Sequence, residues 1–388
     1  MNKKKILISV LVLMVLAALV YLQVRTWRRF DWHRFWAATQ HTQKLYLLAG
    51  VGLVYFDYYL RALRWKIMLR PVCNTKTSRL IRPTVIGFTG LALFGRPGEF
   101  IRPFLIARRE NLTMASQVAV WAVERIFDMG AFALMSALNL LWNADTLKRL
   151  PGFARGGARM IGKYQISAFG IFELSGVAVL FGVGILAGLA FAVRKNPAGA
   201  ARVAQRIFGS ISEKLGKAVA HRVQAFGEGL NTVQDLKSFV QLSALSILIW
   251  WVIGIAYLMV THAYRIHHRQ PFTLSSVLLL TAASVLGGVV QLPLVGGGSQ
   301  LATIGILHGI FDLPPELSTS CGIMLWLVTF ISVTPAGLVL AQREHVSFMR
   351  LEKEATQEEE KVEAAESSAE LPPVNTEAKP TQADKWVN

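Results

Sequence analysis

The stretch from Thr84 to Arg109, TVIGFTGLALFGRPGEFIRPFLIARR, restricts the folds open to this chain. An apolar run, Val85 to Phe94, breaks at Gly95-Arg96-Pro97-Gly98-Glu99. It resumes as Phe100 to Ala107 and ends in Arg108 and Arg109. A bilayer-spanning helix needs roughly 20 mostly apolar residues, so neither half crosses alone. Pro97, with Gly95 and Gly98 close by, removes a backbone donor and interrupts any continuous helix. The pattern predicts a re-entrant hairpin: a short helix in, a charged Gly/Pro turn, and a short helix out. Irregular backbone at membrane depth survives only where protein covers it or where it lines a wet cavity. Arg96, Glu99 and Arg102 are therefore candidate site residues. The competing reading is a cytoplasmic loop beside an amphipathic helix.

The 388 residues are 53% hydrophobic and 17% charged, with 10 Trp and 21 Phe. That balance places the chain among polytopic helical membrane proteins. The net charge of +17 is unevenly spread. The tail from Glu344 holds 11 acids and 5 bases, leaving the body at +23. Such a body charge fits cytoplasmic loops facing anionic lipid better than a nucleic-acid surface. Cys73 and Cys321 stand alone, so neither a disulfide framework nor a zinc site is implied.

Lys3, Lys4 and Lys5 precede an apolar run, Ile6 to Val24. It is longer than a signal-peptide core and no small-x-small cleavage site follows, so it is read as an uncleaved first span with its start in the cytoplasm. Arg25 to Lys44 mixes cations with Trp27, Trp32 and Trp36, as an interfacial helix would. Leu45 to Leu60 is the second span. It leads into Arg61, Arg64, Lys66, Arg70, Lys76, Arg79 and Arg82, seven cations without an acid, which mark the cytoplasmic side.

The third span, Ala115 to Leu141, contains Glu124, Arg125 and Asp128. Glu124 and Asp128 share a helix face, and such groups must face the bundle interior or a cavity. A purely structural ion-pair network is the alternative. The expected partners are Glu99 or Glu124 with Arg125, and Asp128 with Arg96 or Arg102. Ala168 to Val193 is the fourth span, and a basic amphipathic connector follows over 194–237. Phe239 to Val260 is the fifth span. His262, His267 and His268 then fall in a short loop whose spacing fits a solvated segment better than a metal site. Leu274 to Leu292 runs into Pro293-Leu294-Val295-Gly296-Gly297-Gly298-Ser299-Gln300, and Leu301 to Phe311 returns, a second hairpin. Gly322 to Leu340 is the last span, and 344–388 is an acidic tail too polar to bury a core.

The expected fold is thus an all-α polytopic membrane protein with about six spanning helices and two re-entrant hairpins. The halves, about 1–145 and 165–343, would form an inverted-topology repeat. Both termini would be cytoplasmic, in a bacterial-type plasma membrane.

These motifs resemble the lysylphosphatidylglycerol synthase transmembrane region, or flippase-like domain family. Its first motif, PGxxGExxRP, is similar to Gly95 through Pro103. Its E-R-x-x-D element is similar to Glu124-Arg125-Ile126-Phe127-Asp128, and its arginine-rich second span to Arg61, Arg64 and Trp65. The second-half motif departs from the pattern, because Thr303 stands where the family has Glu. The resemblance covers roughly residues 5 to 342 and implies a membrane domain that moves lipids, including aminoacylated phospholipids.

The expected function is a lipid translocase with no catalytic residues, no metal and no cofactor. Arg61, Arg64, Arg96, Arg102 and Arg125 would meet a phospholipid or lipid-linked phosphate, with Glu99, Glu124, Asp128 and Gln300 completing the groove. Gly95, Pro97, Gly98, Pro293, Gly296, Gly297 and Gly298 would shape the hairpins. The competing class is a lipid-modifying or glycosyl-transferring membrane enzyme, or its non-catalytic partner. The 45 residues from Glu344 leave no room for an aminoacyl-transfer domain within this sequence, and the large loop after the first span offers Asp31 as its one acid. No GxxxxGK[ST] run is present for direct ATP coupling.

Overall fold

The computed structural model describes residues 30–155, 159–161, 164–166, 168–210, parts of 212–223, 236–264, 272–288, 291–292 and 296–344. The expected first span, the loop histidines His267 and His268, most of the connector after 211, Pro293 and the tail after Glu344 lie outside the described residues.

The described chain is a helical bundle. Helix α1 (Trp32–Gln40) starts where the Asp31 carboxylate accepts the Arg34 amide, a side-chain cap. Helix α2 (Lys44–Leu69) is the centre of the molecule, and its second half is buried on nearly every side. Helix α3 (Thr77–Phe94), a 3-10 turn (Arg96–Phe100) and helix α4 (Ile101–Glu110) form the first hairpin. Helix α5 (Met114–Trp142) is capped by Thr113, and short helices α6 (Ala144–Lys148) and α7 (Pro151–Arg155) follow it. An antiparallel ribbon, β1 (Arg159–Ile161) with β2 (Tyr164–Ile166), leads to α8 (Ala168–Lys195) and the amphipathic α9 (Pro197–Gly209).

Helix α10 (Leu236–Ala263) precedes the second hairpin. That hairpin consists of α11 (Leu274–Gly287), a ribbon of β3 (Gln291–Leu292) with β4 (Gly296–Gly297), and α12 (Gly298–Gly309). In the ribbon Gln291 pairs with Gly297 and Leu292 with Gly296. The last helix is α13 (Pro315–Trp326), a π turn (Leu327–Ile331) and α14 (Thr334–Arg343). Pro335 follows the π turn and cannot donate to a regular ladder.

Helices α2 and α10 pack along one another and run antiparallel. At one end the Gln43 amide donates to the Ala263 carbonyl at 2.9 Å, and at the other Arg70 donates to Gln241 at 2.9 Å. The first hairpin has its open base at the Arg70 end, where Arg79 pairs with Glu110 at 2.9 Å and Arg109 with Glu344 at 2.9 Å. The second has its base at the Ala263 end, where Phe272 stacks on Phe311. Apolar packing follows the same division. One cluster gathers Trp65, Met68, Leu80, Ile106 and Leu242, and the other Tyr257, Val260, Phe272, Leu307 and Leu325.

The turn of the first hairpin falls where the Gly/Pro break predicts it. Gly95 adopts φ 71°, a backbone conformation that a side chain would strain. Gly98 lies so close to the Gly90 backbone that an added Cβ would overlap the Gly90 carbonyl. Gly87 likewise lies against the backbone of Arg102. Glycines at both crossings let the two arms touch.

The structure differs from the expected boundaries at several helix ends, and His262, expected in a loop, lies in the last turn of α10. The first arm starts at Thr77, because Pro83 is accommodated inside α3. Helix α2 continues through Arg61, Arg64 and Lys66 to Leu69, so Arg61 and Arg64 do not belong to a basic loop. Both are buried, because neighbouring helices supply carboxylates at their level.

Candidate functional site

Helix α2 places Asp57, Arg61 and Arg64 on one face, by spacings of four and three residues. Helix α5 aims Glu124 and Asp128 at that face, and α4 adds Arg102 from the hairpin. Arg64 is the hub. Its Nη2 lies 2.6 Å from Glu124 Oε1, and its Nη1 donates to Asp128 Oδ1 at 2.5 Å and to Ser246 of α10 at 2.9 Å. Arg102 takes Glu124 with both terminal nitrogens, and its guanidinium sits 4.2 Å above the Trp65 ring. Trp65 is held in turn by its indole N–H to Gln117 at 3.1 Å. Arg61 donates from Nε to Asp57 Oδ2 at 2.7 Å, faces the Phe88 ring and keeps Nη1 3.6 Å from Asp128 Oδ2.

Glu124 and Arg64 are fully buried, and Asp128 and Arg102 nearly so. Burial of a lone charge of this kind costs several kcal/mol. These side chains are stable inside the bundle only as a mutually neutralising set with hydrogen bonds. Fully ionised, the set holds four guanidiniums (Arg61, Arg64, Arg102, Arg125) and three carboxylates (Asp57, Glu124, Asp128), one positive charge in excess.

Arg125 carries the excess. Its Nη2 lies 3.7 Å from Glu124 and 3.6 Å from Asp128, too long for hydrogen bonds, and its side chain is 37% exposed. It borders a small half-open pocket together with Arg102, Trp121, Phe88 and Gly87. Glu99 lines the same pocket from the hairpin turn and makes no ion pair among the described residues. A guanidinium without a hydrogen bond and a carboxylate without an ion pair, among the described residues, thus line one cleft. The arrangement can accept an oxyanion at Arg125 and a cation at Glu99.

The expected pairings are therefore revised. Glu124 does lie beside Arg125, but its short contacts are to Arg64 and Arg102. Asp128 pairs with Arg64, and more loosely with Arg61 and Arg125. Arg96 opens the 3-10 turn, and its side chain lies outside the described residues. Gln300, in the first turn of α12, makes no hydrogen bond to this network among the described residues. Thr303 is buried and returns its hydroxyl to the Ser299 carbonyl at 2.8 Å.

Asp57, Ser246, Gln117 and Phe88 belong to the site and are not among the expected residues. Asp57 alone carries a readable signal: an acid inside the aromatic run Tyr55 to Tyr59, four residues before Arg61. The other three read as ordinary helix residues.

Among the described residues no group of three or more His, Cys, Asp or Glu is placed to hold a metal. Lys237–Ala263 and Pro315–Arg343 are each long and apolar enough to cross a membrane. Helices α2, α5 and α8, with 26, 29 and 28 residues, have similar length. Fold and site together define an all-α membrane protein with a buried arginine–carboxylate network. The chain belongs to the family described as the lysylphosphatidylglycerol synthase TM region, which it matches over residues 6–337. None of the curated proteins compared with it matches.

Proposed function

We propose that this protein is a lipid translocase that carries a polar headgroup between leaflets through the cleft at Arg125. A phosphate cannot enter hydrocarbon bare, so a translocase must offer it a charged path that is already solvated by protein. The observation that carries the reading is Arg125. It sits beside two carboxylates, Glu124 and Asp128, that are already held by other arginines, makes no hydrogen bond among the described residues, and lines the pocket. A network built only for stability would have no need of the extra cation. The pocket is small, so a headgroup would meet Arg125 at its mouth while the acyl chains remain in the bilayer. The family's membrane character supports the same reading. The proposal assigns no covalent chemistry to the chain.

The proposed topology is six spans and two re-entrant hairpins in an inverted repeat, with both termini cytoplasmic. Exchange of the halves supports it. As α3 packs on α14, so α11 packs on α5, and as α4 packs on α5, so α12 packs on α13. Gly95 (φ 71°, ψ −144°) and Gly297 (φ 86°, ψ −132°) share one unusual backbone conformation at the two hairpin tips. The opposite placement of the hairpin bases fits entry from opposite faces, and Arg70, Arg79, Arg82, Arg108 and Arg109 gather at the end read as cytoplasmic.

The test is reconstitution of the purified protein in liposomes carrying headgroup-labelled lipids of differing charge, followed by chemical bleaching from outside. Bleaching of the inner-leaflet label is expected for phosphate-bearing lipids. Protection equal to that of protein-free vesicles for every lipid overturns the proposal.

A further inference from the structure

Asp57 is the least satisfied carboxylate of the network. The residue is 5% exposed. Its Oδ2 accepts from Arg61, while Oδ1 is buried with no hydrogen-bond partner. Buried carboxylate oxygens without partners are rare and disfavour the ionised form. A proton on Oδ1 would remove the charge and create a donor. Helix carbonyls one turn back accept such donors, as they do here from Thr84 to Leu80 and from Thr89 to Val85.

The second observation lies at the far end of Arg61. Arg61 Nη1 and Arg125 Nη2 both stand 3.6 Å from the same atom, Asp128 Oδ2. They compete for it. With Asp57 ionised, Arg61 is held back by its 2.7 Å bond to that carboxylate, and Arg125 shares Asp128. With Asp57 neutral, Asp128 is the nearest remaining counter-charge for Arg61. Closer pairing there displaces Arg125 toward the pocket.

The other titratable groups near Asp57 are Tyr55, Tyr58 and Arg64 on its own helix, Glu124 on α5 and Arg102 on α4. Helix α3 places the Phe88 ring against Arg61, its cations Arg79 and Arg82 pair with Glu110 and Glu344, and between Lys237 and Tyr257 α10 carries no ionisable residue. The π turn of the last helix has none.

We infer that Asp57 is a proton-binding site that couples proton uptake to capture of an anionic headgroup at Arg125. This inference rests on the translocase reading and extends it. One proton passes from water to Asp57 Oδ1, the carboxylate becomes neutral, and the cluster's excess charge rises from one to two. An anion then binds more tightly, and by linkage a bound anion draws the proton in.

The probe is glycerophosphoglycerol, a phosphodiester whose own charge does not change near neutrality, titrated into the full-length protein in detergent micelles from pH 5 to 8. Affinity is expected to rise as pH falls, by up to about tenfold per pH unit for one coupled proton. Asp57→Asn should bind with the acid-limit affinity at every pH, and Asp57→Glu should keep the pH slope. If Asp57→Asn does not fold, calorimetry of the wild-type protein in two buffers of different ionisation enthalpy counts the protons taken up on binding. A value near one at neutral pH supports the coupling, and zero overturns it. So does an Asp57→Asn variant with the wild-type slope. Lipid movement in liposomes with pH-independent headgroup binding removes the proton site and leaves the translocase. Proton-linked binding without any lipid movement does the reverse.

Discussion

Arg64 Nη2 lies 2.6 Å from Glu124 Oε1, and neither side chain is exposed to solvent. This contact joins the central helix α2 to α5. Because Arg64 also reaches Ser246, it ties both to α10 in the other half of the chain. The network is thus both a structural joint and the wall of the pocket. The two roles separate by residue.

Glu124 belongs to the joint. Glu124→Ala strands the buried guanidiniums of Arg64 and Arg102, and removal of one partner from such a set costs about 3–5 kcal/mol. Chemical denaturation in detergent should show that loss, with a much smaller loss for Glu124→Gln if the amide keeps one acceptor in place. Stability of Glu124→Ala within about 1 kcal/mol of wild type would contradict the burial described here.

Glu99 and Arg125 belong to the pocket. Neither is the sole partner of a buried counter-charge, and both face open space. Glu99→Ala and Arg125→Ala should each change stability by less than about 1 kcal/mol while slowing lipid movement. The charge pattern of the sequence, taken alone, predicts that both substitutions damage folding as well. Thermal unfolding beside a transport assay separates the two expectations, and a large stability loss in either variant would favour buried pairing over an open pocket.

The crossing of the hairpin arms is tested by glycine. Gly98→Ala brings a methyl against the Gly90 carbonyl, and Gly87→Ala against the Arg102 backbone. Each should destabilise by about 1–3 kcal/mol. Gly52→Ala in α2 is the control, since nothing lies within 4 Å of its added Cβ. It should be neutral or slightly stabilising. Equal effects at Gly52 and Gly98 would mean that the arms do not touch.

Much of this arrangement is legible in the amino-acid sequence. The Gly/Pro break locates the 3-10 turn, and the acids and arginine of the third span announce a polar core. The identity of the partners is not legible there. Arg61 and Arg64 follow an apolar run and precede more cations, so by local composition they look like the basic end of a span. Only the tertiary approach of Glu124 and Asp128, 60 and 64 residues away from Arg64, makes a buried position tolerable. Asp57 is marked only by its four-residue spacing from Arg61, since its aromatic neighbours dominate any hydropathy window. Ser246 has no local signature at all, since its role exists only where α10 crosses α2.

The topology has its own test. Single cysteines at Arg108 and Arg206, in a background without Cys73 and Cys321, should react with impermeant reagent only from the cytoplasmic side. A cysteine at Asn143, at the opposite end of α5 from Thr113, should react only from outside. Labelling of Arg108→Cys from outside would turn the first hairpin into a crossing and remove the inverted repeat.

The most direct measurement compares wild type, Arg125→Ala and empty vesicles in one liposome assay with a headgroup-labelled anionic phospholipid. Wild-type protein should expose the inner-leaflet label to quencher, and Arg125→Ala, folded to the same extent, should slow that exposure at least about tenfold, the equivalent of about 1.4 kcal/mol. Equal rates for wild type and Arg125→Ala would place the lipid path elsewhere. A wild-type rate no faster than that of empty vesicles would contradict lipid translocation itself.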